Sequence, residues 1–256
     1  MPLNLSSQKM STTLKSSLTK VSAIASICLA STFSAHAADW SSTNVQLLNG
    51  SGYELGDKNR TIFTFENALG WKYGDSFLFI DVTEPFSEGT SYYSEFSPRF
   101  SLGKITGKDM SFGIVKDVMV STTLEMGQGT RGYLVGVGLP LDISGFAFAN
   151  VNLYARQSDR DFAADDTDLG GQVTLTWNRP FTLGSTKWNF EGFLDYAFAE
   201  KGGSAPKEDN IVAAPRLMLN LGKSLQVGIE QQIWRNKFGV KNVDEDVTQA
   251  MVKFTF

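Results

Sequence analysis

The feature that most constrains this chain is a series of short segments in which apolar and polar residues alternate. Such period-two alternation is typical of β-strands that have one face in an apolar environment. Helix-period patterns are scarce, and clusters of Gly, Asn, Asp, Ser and Pro separate the segments. We predict twelve strands, at residues 40–49, 60–69, 75–84, 92–102, 112–125, 131–139, 145–156, 171–179, 187–199, 211–221, 225–235 and 247–256.

The alternation is clearest in the last predicted strand. One face carries Thr248, Ala250, Val252, Phe254 and Phe256, and the other carries Gln249, Lys253 and Thr255. Residues 77–80 are apolar on both faces, so the pattern does not tell which side of the third strand points inward.

The connections between the strands show a second pattern. Long polar connections, at 50–59, 84–91, 157–170, 200–210 and 236–246, alternate with short turns. Outer-membrane barrels pair long external loops with short periplasmic turns and have an even number of strands. We therefore predict an all-β fold, a twelve-stranded antiparallel transmembrane β-barrel. Two connections fit less well, since 127–130 is short for an external loop and 103–111 is long for a turn.

A soluble lipocalin-like barrel or a β-sandwich is the structural alternative. Alternation alone does not reveal whether the apolar face of a strand meets lipid or a protein core. The number of strands, the asymmetry of the connections and the terminal Phe256 favour the membrane barrel.

The N-terminal part has the pattern of a secretory signal peptide. Three lysines precede the apolar run 21–33, which ends in the small-x-small sequence of residues 35–37. An apolar run of about 13 residues is shorter than the roughly 20 that a membrane-spanning helix needs. Lipid modification of Cys28 is disfavoured because the bulky Ile27 precedes it. We predict a signal peptide at 1–37 and an outer-membrane barrel at 38–256.

The composition of the mature part excludes several classes of function. The leader holds three of the 23 basic residues and none of the 27 acidic ones, so the mature net charge is −7 and nucleic acid is not expected as a partner. The only Cys and the only His, Cys28 and His36, also lie in the leader. A disulfide framework and a thiolate metal site are therefore not expected, and neither is a cofactor.

The lack of His in the mature part also argues against an enzyme. Hydrolases of the Ser-His or His-assisted type need an imidazole as general base near neutral pH. A carboxylate pair of the glycosidase type stays formally possible, but acidic residues are common in any solvated lumen. The acidic stretch 157–170 could hold Ca²⁺ through its carboxylates, yet it lacks EF-hand spacing, so a solvated loop is favoured.

The predicted strand phases place a mixed set of charged, polar and aromatic residues on the inner face. These residues are Glu66, Glu95, Arg99, Asn152, Tyr154, Arg156, Glu191, Asp195, Arg216, Glu230, Gln232, Trp234 and Lys253. In a barrel of this size such residues either fill the lumen or line a narrow channel. An internal salt-bridge network that only braces the barrel is therefore an alternative to solute contact for each of them.

Several stretches resemble the family of nucleoside-specific channel-forming proteins called Tsx and their OmpK-type relatives. The clearest are residues 95–101 (Glu-Phe-Ser-Pro-Arg-Phe-Ser) with 109–113, and residues 230–239. Shorter similarities occur at 65–67 and 152–156. The resemblance spans most of the mature chain but is strong only in these stretches, and the one at 230–239 is closer to the OmpK side.

The resemblance implies a monomeric twelve-stranded barrel with a narrow channel for facilitated diffusion of nucleosides or deoxynucleosides. It also implies external loops that serve bacteriophages as receptors. Independently of the family, the aromatic residue Phe256 at the end of the last strand resembles the signal by which the barrel-assembly machinery of the outer membrane recognises its clients. Outer-membrane lipid is the expected surrounding. A narrow unspecific porin and a closed structural or phage-receptor barrel are the alternative functions.

A nucleoside joins an aromatic base to a polyhydroxyl sugar, so a selective pore needs aromatic faces and hydrogen-bonding groups. Candidate faces are Tyr92, Phe148, Tyr154 and Trp234. Candidate polar partners are Glu95, Arg99, Asn152 and Glu230. The predicted pore set also includes Glu66, Arg156, Arg216 and Gln232.

Overall fold

A computed structural model describes residues 38–85 and 89–256 of the chain. The predicted leader, residues 1–37, lies outside the described residues, so its cleavage after Ala37 stays a prediction. Within the described ranges, no helix is both long enough and apolar enough to cross a membrane.

Antiparallel β-strands account for most of the described chain, and their positions follow the predicted segments closely. Of the described residues, Leu102–Thr106 form a short α-helix, α1, and Lys237–Gly239 form one turn of 3₁₀-helix. The strands are β1 Trp40–Ser51, β2 Asn59–Trp71, β3 Gly74–Thr83, β4 Ser91–Ser101, β5 Met119–Gly127, β6 Thr130–Leu141, β7 Phe148–Arg160, β8 Gly170–Leu183, β9 Thr186–Phe198, β10 Asn210–Ala213, β11 Arg216–Asn220, β12 Leu225–Arg235 and β13 Glu245–Thr255.

The strands form one closed sheet. Apart from β10 and β11, which do not pair with each other, consecutive strands pair antiparallel, and β13 pairs back onto β1, from Asn44 opposite Thr255 to Gly50 opposite Gln249. Closure leaves no unpaired sheet edge, which is the condition for crossing a bilayer with strands.

β10 and β11 occupy a single place in the barrel wall. Both pair with β9 on one side and β12 on the other, and the register is the same before and after the break. Pro215 interrupts the strand because proline has no backbone N–H to donate. Gly192 lies beside the break, where a Cβ atom would collide with the Ala214 carbonyl oxygen. The wall therefore has twelve strand positions, as predicted.

The last strand confirms the predicted phase of inner and outer faces. Val252 and Phe254 are 45% and 44% exposed on the outside, whereas Gln249 is 1% exposed on the inside. The apolar face of β13 thus points away from the lumen, as expected for a barrel whose outer wall faces lipid.

The two ends of the barrel differ in the length of their connections. Residues 52–58, 84–85 with 89–90, 161–169, 199–209 and 236–244 lie at one end, which we call the loop end. The other end, which we call the terminal end, holds the start of β1, the end of β13 and mostly short turns such as 72–73 and 184–185. The connection 128–129 at the loop end is short, as the sequence indicates.

The prediction for the fifth strand, 112–125, was wrong at its start. β5 begins only at Met119, and helix α1 and an irregular connection precede it. Phe112 and Val115 exchange two backbone hydrogen bonds, so the alternating residues between them belong to a tight turn. The long connection at the terminal end therefore runs from 102 to 118.

Candidate functional site

The lumen is the candidate site, and the strand register identifies the residues that face it. Several side chains bond across the barrel, which fixes the inner face of the strands involved. Phe148 also lies on this face, at the terminal end. The predicted pore residues on the inner face are Glu66, Glu95, Arg99, Phe148, Asn152, Tyr154, Arg156, Arg216, Glu230, Gln232 and Trp234.

Tyr92 does not line the lumen, so the prediction that it belongs to the pore set was wrong. It is 49% exposed on the outer face of β4. The neighbouring Tyr93 points inward, and its hydroxyl donates to Glu95 Oε1 at 2.8 Å. Since successive residues of a strand face opposite sides, the inward phase of Glu95 already excluded Tyr92.

One group of charges crosses the lumen near its middle, and we call it the Arg216 crossing. The Arg216 guanidinium on β11 contacts Glu66 on β2 at 2.9 Å and Glu230 on β12 at 2.6 Å. The strands β12, β13 and β1 lie between β11 and β2 in the wall. The ion pair from Arg216 to Glu66 therefore passes through the interior.

Amides and a lysine extend the Arg216 crossing. Gln249 donates to Glu230 at 2.8 Å, and Asn44 donates to Glu66 at 3.1 Å. Lys253 on β13 forms a second cross-lumen ion pair with Glu191 on β9. The carboxylates at this level are paired with cations or amides, as charges removed from bulk water require.

A second group lies nearer the loop end, and we call it the Arg156 crossing. The Arg156 guanidinium donates to Glu125 at 2.7 Å, to Gln172 at 2.7 Å and to Glu200 at 3.0 Å. Glu125 is on β5, two strands away, and Glu200 belongs to the connection 199–209. Arg156 thus ties that connection to the inner wall.

Glu200 anchors the connection 199–209 inside the mouth of the barrel. Its side chain is only 2% exposed and also accepts hydrogen bonds from Ser158 at 2.6 Å and from Lys207 at 2.8 Å. Burial raises the pKa of Glu200, but the charges of Arg156 and Lys207 and these hydrogen bonds outweigh burial and bring the pKa to about 2. Glu200 is therefore ionised at neutral pH and holds the connection 199–209 inward.

Glycines on β6 make room for these inner side chains. A Cβ atom on Gly138 would lie 2.7 Å from the Asn152 Oδ1 atom, and one on Gly132 would collide with the Glu125 carboxylate. Sequence reasoning missed this role, although Gly132, Gly136 and Gly138 recur at even positions of β6, in a stretch without charged residues.

The wall between the two crossings carries an aromatic strip that sequence reasoning also missed. Phe79 lies opposite Glu95 in the register, so it faces inward together with Phe77. The ring centres of Phe77 and Phe79 are 6.0 Å apart, and those of Phe79 and Tyr93 are 5.8 Å apart. Phe77 is 37% exposed. We call Phe77, Phe79 and Tyr93 the aromatic strip.

A usable signal for the aromatic strip was present in the sequence. Asp75 and Asp81 flank Phe77 and Phe79 at odd positions of the same strand. Asp75 pairs with Arg99 on β4 at 2.7 Å, and Asp81 accepts from Thr64 at 2.5 Å, so both acids face the lumen. Because residues two positions apart on a strand share a face, the inward aspartates at 75 and 81 place Phe77 and Phe79 on the inner face as well.

Two of the predicted aromatic faces are covered by other side chains. The Lys237 ammonium lies 4.6 Å from the centre of the Trp234 ring, and the Phe238 ring lies 4.6 Å away on edge. Tyr154 is buried, with its hydroxyl 2.7 Å from Ser121 Oγ. Both residues brace the wall in this arrangement.

The predicted polar residues of the pore differ in the contacts that their side chains make. Arg99 also reaches Asn152 at 3.4 Å, and Gln232 accepts from Gln249 at 3.4 Å. Among the described residues, Glu95 forms no ion pair with a lysine or arginine. Its carboxylate lies next to the aromatic strip, so this stretch of wall combines apolar faces with a polar acceptor.

Comparison with known families decides the identity of this barrel. A family model described as "Nucleoside-specific channel-forming protein, Tsx" matches residues 35–255. The chain belongs to the Tsx family.

Curated relatives of this Tsx-family chain carry two names. Outer membrane protein OmpK of Vibrio parahaemolyticus is 28% identical over 139 residues, which are 50% of this chain and 51% of that protein. Nucleoside-specific channel-forming protein Tsx of Salmonella typhimurium is 25% identical over 246 residues, 80% of this chain and 82% of that protein. The match thus spans about half the length of OmpK and most of Tsx.

Two of the solved structures that are similar to this Tsx-family barrel are porins. The NanC porin has a TM-score of 0.50 at 12% identity and covers 83% of this chain and 98% of its own. The KdgM porin in complex with disordered oligogalacturonate has a TM-score of 0.48 at 12% identity, with 84% and 99% covered. At such identity, the likeness to NanC shows the fold alone.

Family and relatives together place this Tsx-family protein in the bacterial outer membrane. In such barrels both termini and the short turns are periplasmic, whereas the long loops are external. The terminal end is therefore the periplasmic end, and the loop end, where the Arg156 crossing lies, is the external mouth.

Proposed function

We propose that this outer-membrane channel carries nucleosides and deoxynucleosides by facilitated diffusion. The observation that carries the proposal is the aromatic strip of Phe77, Phe79 and Tyr93 on the inner wall, beside the carboxylate of Glu95. The family description and the Tsx relatives support the same class of solute.

The chemistry of the aromatic strip suits a nucleoside. A base can slide along neighbouring aromatic rings, and stacking on one ring contributes about 1 to 3 kcal/mol. The sugar hydroxyls can bond to Glu95, to Ser97 and to the pair formed by Arg99 and Asp75, which lie on the same part of the wall. Weak binding of this kind permits release, and a channel needs release as much as entry.

The contacts of the predicted residues divide the pore set into two roles. Glu95 and Arg99 lie beside the aromatic strip and are the proposed solute contacts, with Phe148 at the periplasmic mouth. Glu66, Arg156, Arg216 and Glu230 hold the crossings and narrow the path. Tyr154, Asn152, Gln232 and Trp234 act as bracing.

A closed structural or phage-receptor barrel is the second candidate, and contacts among the external connections favour it. The Ala164 amide donates to Ser204 Oγ at 2.8 Å, and Arg160 donates to the Ala205 carbonyl. These bonds join the connections 161–169 and 199–209 over the mouth. Together with the Arg156 and Arg216 crossings, these bonds would close the lumen unless they opened for a solute.

Conductance of the purified barrel in a planar bilayer tests the proposal. Adenosine or thymidine should reduce the ion current in a saturable way, whereas glucose at equal concentration should do little. Phe79→Ala should raise the half-blocking concentration about fivefold or more, because a lost stacking contact costs at least about 1 kcal/mol.

The matched control is Phe96→Ala, which removes an exposed phenylalanine from the outer face of the adjacent strand. It should leave nucleoside block unchanged. Equal block by nucleosides and glucose would contradict the nucleoside channel and favour an unspecific narrow porin. A barrel that carries no current would instead favour the closed receptor.

A further inference from the structure

The outer wall of the barrel has an apolar groove near the periplasmic end. Its volume is about 280 Å³, and it crosses β7, β8 and β9. The small side chain of Ala149 lies opposite Trp177 in the register and leaves a depression in the outer wall. The ring centres of Trp177 and Phe190 are 5.8 Å apart. Leu141, Ile143 and Phe146 complete the apolar lining.

A cation stands at the periplasmic edge of this groove. Arg179 lies two residues beyond Trp177 on the same outer face of β8 and is exposed. Among the described residues it has no carboxylate within ion-pair distance. Its Nε atom lies 3.7 Å from the position that a Cβ atom of Gly145 would take, so the guanidinium reaches over the turn 142–147.

The segment beside the groove is apolar, exposed and basic. Residues 112–116 run along the turn, since Asp142 N donates to the Ile114 carbonyl at 2.7 Å. Phe112 and Ile114 are each 58% exposed, and Lys116 is exposed next to them. Exposed apolar side chains with lysines are typical of a surface that lies at the boundary of a lipid leaflet.

The charge of the connections differs between the two ends. At the periplasmic end they carry five lysines and three aspartates, whereas the external connections carry more than twice as many acidic as basic residues. A basic rim attracts anionic headgroups, and the acidic mouth repels them.

We propose that the groove binds one anionic phospholipid of the periplasmic leaflet. An acyl chain lies along Trp177 and Phe190, and the phosphate lies at Arg179. The buried indole N–H of Trp177 has no acceptor among the described residues. An ester carbonyl of a bound lipid supplies an acceptor at the depth where such a donor is otherwise left unpaired.

Native mass spectrometry of the folded barrel in detergent tests this inference. The probes are phosphatidylglycerol and phosphatidylcholine with identical acyl chains, each added in turn, and glycerol phosphate as a headgroup without chains. Phosphatidylglycerol should give an adduct of one lipid per barrel that persists under conditions that remove phosphatidylcholine and glycerol phosphate. Arg179→Ala should weaken that adduct about threefold to fivefold, the loss expected for one exposed charge contact.

Three variants separate the groove from general charge. Arg179→Lys keeps the cation and should retain most of the binding. Arg131→Ala removes an outward arginine at the external end, where it pairs with Asp159 at 2.8 Å, and should change nothing. Ala149→Leu fills the groove and should abolish the adduct while heat-dependent gel mobility still reports a folded barrel.

Equal retention of the two lipids, or an Arg179→Ala adduct as stable as that of the unmodified protein, would overturn the proposal. A dimer that forms through the groove and excludes lipid would overturn it as well. Retention of glycerol phosphate alone would indicate a simple phosphate contact and reject the phospholipid.

Discussion

Protonation or removal of the Glu200 carboxylate should release the connection 199–209 from the external mouth. The pKa of Glu200 is about 2 in the folded protein against an ordinary value of 4.5, and this difference corresponds to about 3 kcal/mol in favour of the docked connection. Because the folded-state pKa is the lower one, this stabilisation is complete above about pH 4.5. It is lost as the pH falls from there toward 2.

The perturbation is Glu200→Gln, which abolishes the charge at every pH. The loss of about 3 kcal/mol shifts the ratio of released to docked connection about a hundredfold at pH 7. In a planar bilayer the variant should show a larger or noisier single-channel current at pH 7. The difference between variant and unmodified protein should shrink as the pH on the external side falls below 4.5.

The control is Glu208→Gln in the same connection. The Glu208 side chain is 45% exposed and contacts Lys201 at 3.2 Å, so its neutralisation should leave the current unchanged. If Glu200→Gln gave the same current as the unmodified protein at each pH, the Arg156 crossing would not control the mouth.

Three further results are expected. Deleting Phe256 should lower the amount of folded barrel in the outer membrane without reducing export, since we propose that this residue signals to the assembly machinery; normal folded yield would refute that role. Arg99→Ala should leave Asp75 without its ion pair and make the pore more cation-selective, as measured by reversal potentials in a salt gradient. An unchanged reversal potential would mean that the ion pair of Arg99 and Asp75 is shielded from the permeating ions. Gly138→Val should destabilise the barrel by about 1 to 3 kcal/mol in urea unfolding, because the added Cβ would lie 2.7 Å from Asn152 Oδ1. An unchanged unfolding midpoint would show that the neighbouring side chains of the inner wall move aside to make room.

Much of the fold could be predicted because strand alternation is a local property of the sequence. The phase of β13 followed from Val252, Phe254 and Gln249 alone. The tight turn at 112–115 could not be recognised in this way, since its residues alternate as those of a strand do. Only the pairing of Phe112 with Val115 distinguishes the two.

The contacts inside the lumen could be predicted only in part. Alternation placed Glu66 and Arg216 on the inner face, but 150 residues separate them in the chain. Their pairing depends on how the barrel closes, which no local pattern contains. The covering of Trp234 by Lys237 likewise depends on a turn that folds back over the mouth.

The break at Pro215 leaves a seam in the barrel wall, because proline supplies no backbone N–H to the ladder. Ala214 and Pro215 lie outside the regular ladder, although the Ala214 N–H still donates to the Phe193 carbonyl and the Pro215 carbonyl accepts from Gln231 N, and the register continues unchanged beyond them. Backbone amides along this line should exchange with solvent deuterium sooner than those of β1 or β13, where pairing is continuous. Arg216 is the first residue past the seam, so a brief opening of the wall would also loosen its hold on Glu66. Arg216 therefore couples the stability of the barrel wall at this break to the width of the lumen.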